Sequence, residues 1–343
     1  MRSFLPAAAL LFLVLVPSMR AQEAPSPDGP PPPSTAPPPA DDEQNAGTLN
    51  VNVNLVNLYF SARDRDGFIT NLRKDDCLIA EDHTPQTIKN FTQEKNLPLT
   101  IGILLDTSGS QMNVLPLEKE SGATFLSQVL HAKDEAFLMS FDINVTLLAD
   151  YTNRASEIKR ALDKASINTG AGTGSITGNG DARGTLLFDA VYLAANEKLR
   201  QEAGRKILVL LTDGGDQGSQ ETLKSAIDAA QKANAIIYVI LLADRSFYGG
   251  GGSINLADSG ARDMDRLTSE TGGRVINVGH DGRKLQDAFQ QIQDELRTQY
   301  LLSYTPTNKK ADGTFRKINL NCGDKLKIQT RVGYYAIADD NVQ

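Results

Sequence analysis

The chain is poor in the residues on which many metalloenzymes and nucleic-acid binders depend. Its 343 residues hold three histidines and two cysteines. His83, His131 and His280 show neither zinc-site spacing nor that of a Ser-His-Asp relay, so they read as surface or packing residues. Basic clusters are also missing. With 35 Lys and Arg against 42 Asp and Glu, and a net charge of −7, the chain cannot grip nucleic acid or anionic lipid without regard to sequence. The Gly-rich "TGAGTGSITGNG" follows a helical stretch, not a strand, and no Gly-Lys-Ser/Thr completes a phosphate loop; it reads as a flexible insertion. "SGS" at 108–110 lacks the Gly-x-Ser-x-Gly elbow of a nucleophilic serine.

What is present divides into five parts. Residues 1–21, "MRSFLPAAALLFLVLVPSMRA", carry an early Arg2, an apolar stretch short for a membrane span and small residues Ser18 and Ala21, which reads as a secretory signal peptide; an uncleaved anchor is the alternative. No Cys follows the stretch, so nothing supports a lipid-anchored start. Residues 22–46 are dense in Pro with Ala, Ser and acidic residues, a composition that extends and buries no core. Residues 47–95 alternate apolar and polar residues, with "DRDG" as a hairpin turn, and form an N-terminal β segment. Residues 96–298 alternate short apolar runs, "LTIGILL", "EAFLMSF", "KILVLLT" and "AIIYVILL", with amphipathic helical stretches. That pattern predicts a doubly wound α/β domain with a mostly parallel sheet covered on both faces. Residues 299–343 return to β character, with "KADGTF" as a second hairpin turn. Cys77 and Cys322 lie in the two β flanks; in an exported chain they form one disulfide, or they remain two buried thiols.

Ligands of open α/β sheets gather at the carboxyl ends of the strands, where strand order reverses. Asp106 ends the first apolar strand of the central domain, in "DTSGS", and Asp213 ends another, in "LLTDGGD". If those strands are neighbours, the two carboxylates meet. Thr185, in "ARGTLLFDAV", opens a helix and can reach the same place. Asp189 and Asp216 read as residues that orient loop backbone.

Asp106, Ser108, Ser110, Thr185 and Asp213, in that order, resemble the metal-ion-dependent adhesion site of the von Willebrand factor type A family over roughly residues 98–298. The flanks, with "EDHTPQTIKNF" and "ELRTQYLLSYTP…GYYA", are similar to an exported bacterial subset of that family. The departures are Cys77, where an aromatic is expected, and the long loop ahead of Thr185. The resemblance implies Ser108 and Ser110 as direct hydroxyl ligands, Thr185 as a direct or water-mediated one, and Asp106 and Asp213 acting largely through water. The ion implied is Mg²⁺, with Mn²⁺ or Ca²⁺ as alternatives. A shell with few charged groups leaves the ion electrophilic, so an Asp or Glu carboxylate of a protein or peptide partner can complete it. The implied role is metal-dependent adhesion outside the cytoplasm, in the periplasm, on the cell surface or in the medium, with no catalysis, no nucleic acid and no membrane span in the mature chain. Two other readings stand beside it. In one the metal only staples loops, with an internal carboxylate filling the open position. In the other it serves a hydrolase, which needs a further general base and, for aspartate-based phosphoryl transfer, a carboxylate where Ser108 stands.

Overall fold

The computed structural model describes residues 55–94, 97–168, 184–242 and 254–337. The signal peptide and Pro-rich segment, most of the loop before Thr185, and the "YGGGGS" stretch lie outside the described residues. The first strands are β1 (Val56–Arg63), β2 (Leu78–Glu81), β3 (Thr84–Gln86), β4 (Ile88–Gln93) and β5 (Leu99–Asp106). Helix α1 (Leu115–Val129), strands β6 (Glu135–Phe141) and β7 (Val145–Thr152), and helices α2 (Ala155–Lys164) and α3 (Leu187–Leu193) follow. Then come β8 (Arg205–Thr212), α4 (Leu223–Ala233), β9 (Ala235–Leu241), α5 (Ile254–Thr271), β10 (Val275–Asn277) and α6 (Gly282–Thr298). The chain closes with β11 (Tyr300–Tyr304), β12 (Phe315–Asn321), β13 (Lys327–Thr330) and β14 (Gly333–Tyr335).

The central sheet has six strands in the order β10-β9-β8-β5-β6-β7, parallel except for the β6–β7 pair. Strands β5, β8 and β9 are buried along their whole length, because helices cover both faces and neither side of these strands meets water. On one face Ile101, Ile103, Leu105, Val209 and Ile240 pack against Phe125 of α1, Ile158 of α2 and Phe289 of α6. On the other, Leu104, Phe137, Leu208, Leu210 and Val239 pack against α3, α4 and Met264 of α5. Gly102 is part of this fit: a Cβ there would lie 2.3 Å from the Phe137 ring, so β5 needs a residue without a side chain. Local chemistry sets the helix ends. The Thr222 hydroxyl accepts the Ser225 N–H to start α4, and the Asp281 carboxylate accepts the N–H groups of Arg283 and Lys284 to start α6.

The two β flanks interleave. One sheet runs β13-β1-β11-β4, and strands β14-β12-β2-β3 form another. Val56, Leu58 and Phe60 point inward along β1 in the alternation expected for a half-buried strand, and the Phe60 and Tyr300 rings stack at 5.2 Å. Cys77 and Cys322 are joined in a disulfide inside this core. The "DRDG" turn forms, with Asp64 N–H donating to the Gly67 carbonyl and Arg63 bridging Phe68. The hairpin expected at "KADGTF" does not. Strands β11 and β12 enter different sheets, and Asp312 instead caps a local turn by accepting the Thr314 N–H. Turn residues flanked by strands signal a change of direction, but not that the two strands then pair.

Candidate metal centre

From β5 the chain turns to β6 on one side, then returns to place β8 on the other, so the strand order reverses at β5. Strands β5 and β8 are adjacent and parallel, with Leu105 opposite Leu211. Strands buried on both faces stay apolar until they leave the sheet, so the first polar groups emerge together at its carboxyl edge. Asp106 and the pair Thr212–Asp213 thereby share one crevice.

Asp106 is fully buried. One carboxylate oxygen accepts the Ser108 N–H at 3.0 Å, which turns the chain out of β5, and the other accepts the Thr212 hydroxyl at 2.7 Å. Asp213 accepts the Gly215 N–H at 3.0 Å, and Gly214, at φ +85°, makes the turn that a side chain would strain. The hydroxyl oxygens of Ser108 and Ser110 lie 3.1 Å apart. Thr185 is held at the rim by backbone: it exchanges two 2.9 Å hydrogen bonds with Gln217, in the loop that follows Asp213. Asp106, Ser108, Ser110 and Asp213 thus gather at one edge, and Thr185 is stitched to the loop that carries Asp213. Asp189 and Asp216 fasten loops: Asp189 accepts the N–H groups of Gln220 and Glu221, and Asp216 accepts the Phe188 N–H and the Ser219 hydroxyl.

Three residues not singled out in the sequence matter here. Asp142, just past β6, accepts the Thr107 hydroxyl at 2.7 Å, the Asn144 N–H at 3.0 Å and the Asn168 side-chain amide at 3.1 Å, while its carbonyl accepts the Leu186 N–H at 2.8 Å. It therefore ties the "DTSGS" loop to the Thr185 segment. Its signal was present, since it ends an apolar parallel strand just as Asp106 does. Gln111 is buried beside Ser110. Glu118, on the first turn of α1, is buried completely, and the signal for it was a carboxylate on the apolar stripe of Leu115, Gly122 and Phe125.

The electrostatics follow from this crowding. Burial raises the Asp106 carboxyl above the usual range and the neighbouring Asp213 raises it further, against the hydrogen bonds from Ser108 and Thr212. Glu118 is pushed well above its ordinary value, by burial first and then by Asp106 and Asp213. Among the described residues no three His, Cys, Asp or Glu side chains stand together as a ready metal cage. The donor set is instead two carboxylates and hydroxyls, all hard oxygen ligands. It suits a hard divalent cation that keeps part of its water shell and does not suit a soft metal.

The chain as a whole has counterparts among known proteins. The chain is similar to von Willebrand factor type A domains. Among solved structures, it resembles the vWF domain of the type V pili tip protein Mfa5 from Porphyromonas gingivalis, at 12% identity and TM-score 0.43, over 58% of this chain and 95% of that one. It also resembles proximal thread matrix protein 1 from the mussel byssus with a zinc-occupied MIDAS motif, at 17% identity and TM-score 0.44, over 62% of this chain and 48% of that one. Among curated proteins, calcium-activated chloride channel regulator 3A-1 of Mus musculus is 26% identical over 204 residues, 59% of this chain. The match spans 20% of the length of that relative. No family model matches the chain.

Proposed function

We propose that this chain is an exported binding module whose central domain, residues 96–298, is of the von Willebrand factor type A kind, and that it captures a partner's Asp or Glu carboxylate through a divalent cation. The ion is Mg²⁺ in this reading, with Mn²⁺ or Ca²⁺ able to stand in. The observation that carries the reading is the pair of serine hydroxyls 3.1 Å apart beside Asp106 and its like-charged neighbour Asp213 at a strand-order reversal. Buried carboxylates that crowd one another are relieved by a proton or by a compensating cation, and the hydroxyl oxygens beside them suit the cation.

Ser108 and Ser110 would hold the ion directly, Thr185 directly or through water, and Asp106 and Asp213 mainly through water. Bound there, the ion supplies an electrophilic position that a carboxylate can fill. The chain's own residues set up that position. Asp106 fixes the Ser108 backbone, Asp142 pins the "DTSGS" loop to the Thr185 segment, and Gly214 allows Asp213 to turn into the crevice. In this reading the ion keeps a position open to a partner, and it is not merely a staple for loops. We assign no residue a catalytic role. No described helix is long and apolar enough to cross a membrane. We place the protein outside the cytoplasm, in the periplasm, on the cell surface or in the medium.

The test uses the full chain on a surface and a peptide array in which each Asp- or Glu-bearing peptide has an Asn or Gln counterpart. The reading expects Mg²⁺-dependent retention of acidic peptides, lost with chelator and in Asp106→Ala. Retention unaffected by chelator and substitution would refute it.

A further inference from the structure

Among the described residues, four of the buried side-chain oxygens that lack a hydrogen-bond partner come from one short segment: Gln111 Oε1, both oxygens of Glu118 and Ser121 Oγ. The segment leads from the metal loop into α1. Glu118 is the extreme case, at 0% exposure with neither oxygen paired. A buried carboxyl without partners is destabilising, and an apolar residue at this stripe position would pack without that penalty. The helix N-terminus favours an acid in the first turn, but only modestly, and an exposed one would serve as well. Packing therefore does not explain the residue. Its charged neighbours are informative: the two groups that act on it most strongly are Asp106 and Asp213, the carboxylates that flank the candidate metal centre.

We propose that Glu118 is a further positioning residue of the metal centre, facing the cation from the core side and accepting hydrogen bonds from its water shell. The inference rests on the divalent-cation reading above. The inner donors are mostly hydroxyls, so a buried carboxylate behind them supplies negative charge that they lack, without occupying the position open to a partner. Gln111 and Ser121 extend the same polar layer, one from the loop and one a helical turn beyond Glu118. Because Glu118 belongs to α1, cation binding is linked to the seating of that helix on the sheet. The ligand class is a small, strongly hydrated divalent ion. A bare or soft ion would gain little from an acceptor that reaches it through water.

Calorimetric titration of the full chain with MgCl₂, together with thermal unfolding with and without Mg²⁺, tests the assignment on the wild type and Glu118→Gln. Removal of an unpaired buried carboxylate is expected to leave the metal-free melting temperature equal to or above that of the wild type. The same change is expected to weaken Mg²⁺ binding tenfold or more, a loss of about 1.4 kcal/mol, and to shrink the rise in melting temperature on Mg²⁺ addition. Unchanged affinity overturns the proposal, and so does a lowered melting temperature with unchanged affinity, which would mark a purely structural residue. Glu118→Asp, which keeps the charge but withdraws it, is held to the same criterion if the Gln variant does not fold. Failure of the wild type itself to bind Mg²⁺ would remove the metal reading, an outcome distinct from equal binding by wild type and variant.

Discussion

Glu81 in the flanking β unit and Glu118 on α1 are both acidic and both buried, and they differ in their partners. Glu81 is 2% exposed and one of its oxygens accepts the hydroxyls of Tyr304 at 2.8 Å and Tyr334 at 2.9 Å. Glu295, where α6 meets the flanking unit, is likewise served by the Ser61 hydroxyl at 2.9 Å and the Arg274 guanidinium at 3.0 Å. Glu118 has no partner and two like-charged neighbours. Where a buried carboxyl is paired, it belongs to the architecture and holds strands together. Where it is left unpaired among other acids, the fold carries a local penalty, and in the proposed function a bound cation would relieve it. The β unit pairs its buried acids within itself, and the carboxyl edge of the central sheet leaves one unpaired.

That contrast can be broken by substitution. The largest expected effect is in the crevice: Asp106→Ala should abolish saturable Mg²⁺ binding in calorimetry, because it removes a carboxylate and frees the Ser108 turn. Replacing both cysteines, Cys77→Ser with Cys322→Ser, should lower unfolding stability by about 2–4 kcal/mol in denaturant titration while leaving Mg²⁺ affinity within about twofold; a large fall in affinity would show that the two regions are not separable. Gly102→Ala should destabilise by about 1–3 kcal/mol, since the added carbon meets Phe137 at 2.3 Å, and chemical unfolding reads it directly. The smallest effect is expected for Tyr304→Phe, about 1 kcal/mol, because Tyr334 still serves Glu81; metal affinity should again be unmoved.

Much of the central domain was legible because each parallel strand is buried on both faces and so writes a nearly unbroken apolar run, as in "KILVLLT". The polar residues that stop those runs, Asp106 and Asp213, were legible for the same reason. Asp142 ends a strand in the same way, but its importance depends on which loops it reaches, Thr107 and Leu186, and that is a matter of tertiary placement. Glu118 was harder still. An acid in the first turn of a helix is ordinary, and only its register with Leu115 and Phe125 shows that it faces inward. The pairing of β1 with β11, and the parting of β11 from β12 that undid the "KADGTF" hairpin, could not be read locally, because the partners lie at opposite ends of the described chain.

The central claim is that oxygen donors from separate loops hold one divalent cation at the end of β5. Electron paramagnetic resonance of Mn²⁺ titrated into the full chain tests it most directly, compared with Asp106→Ala and with Ser108→Ala combined with Ser110→Ala. The account predicts one saturable Mn²⁺ per wild-type chain, displaced by Mg²⁺ and lost in both variants. Equal binding by all three proteins, or none by the wild type, would contradict it.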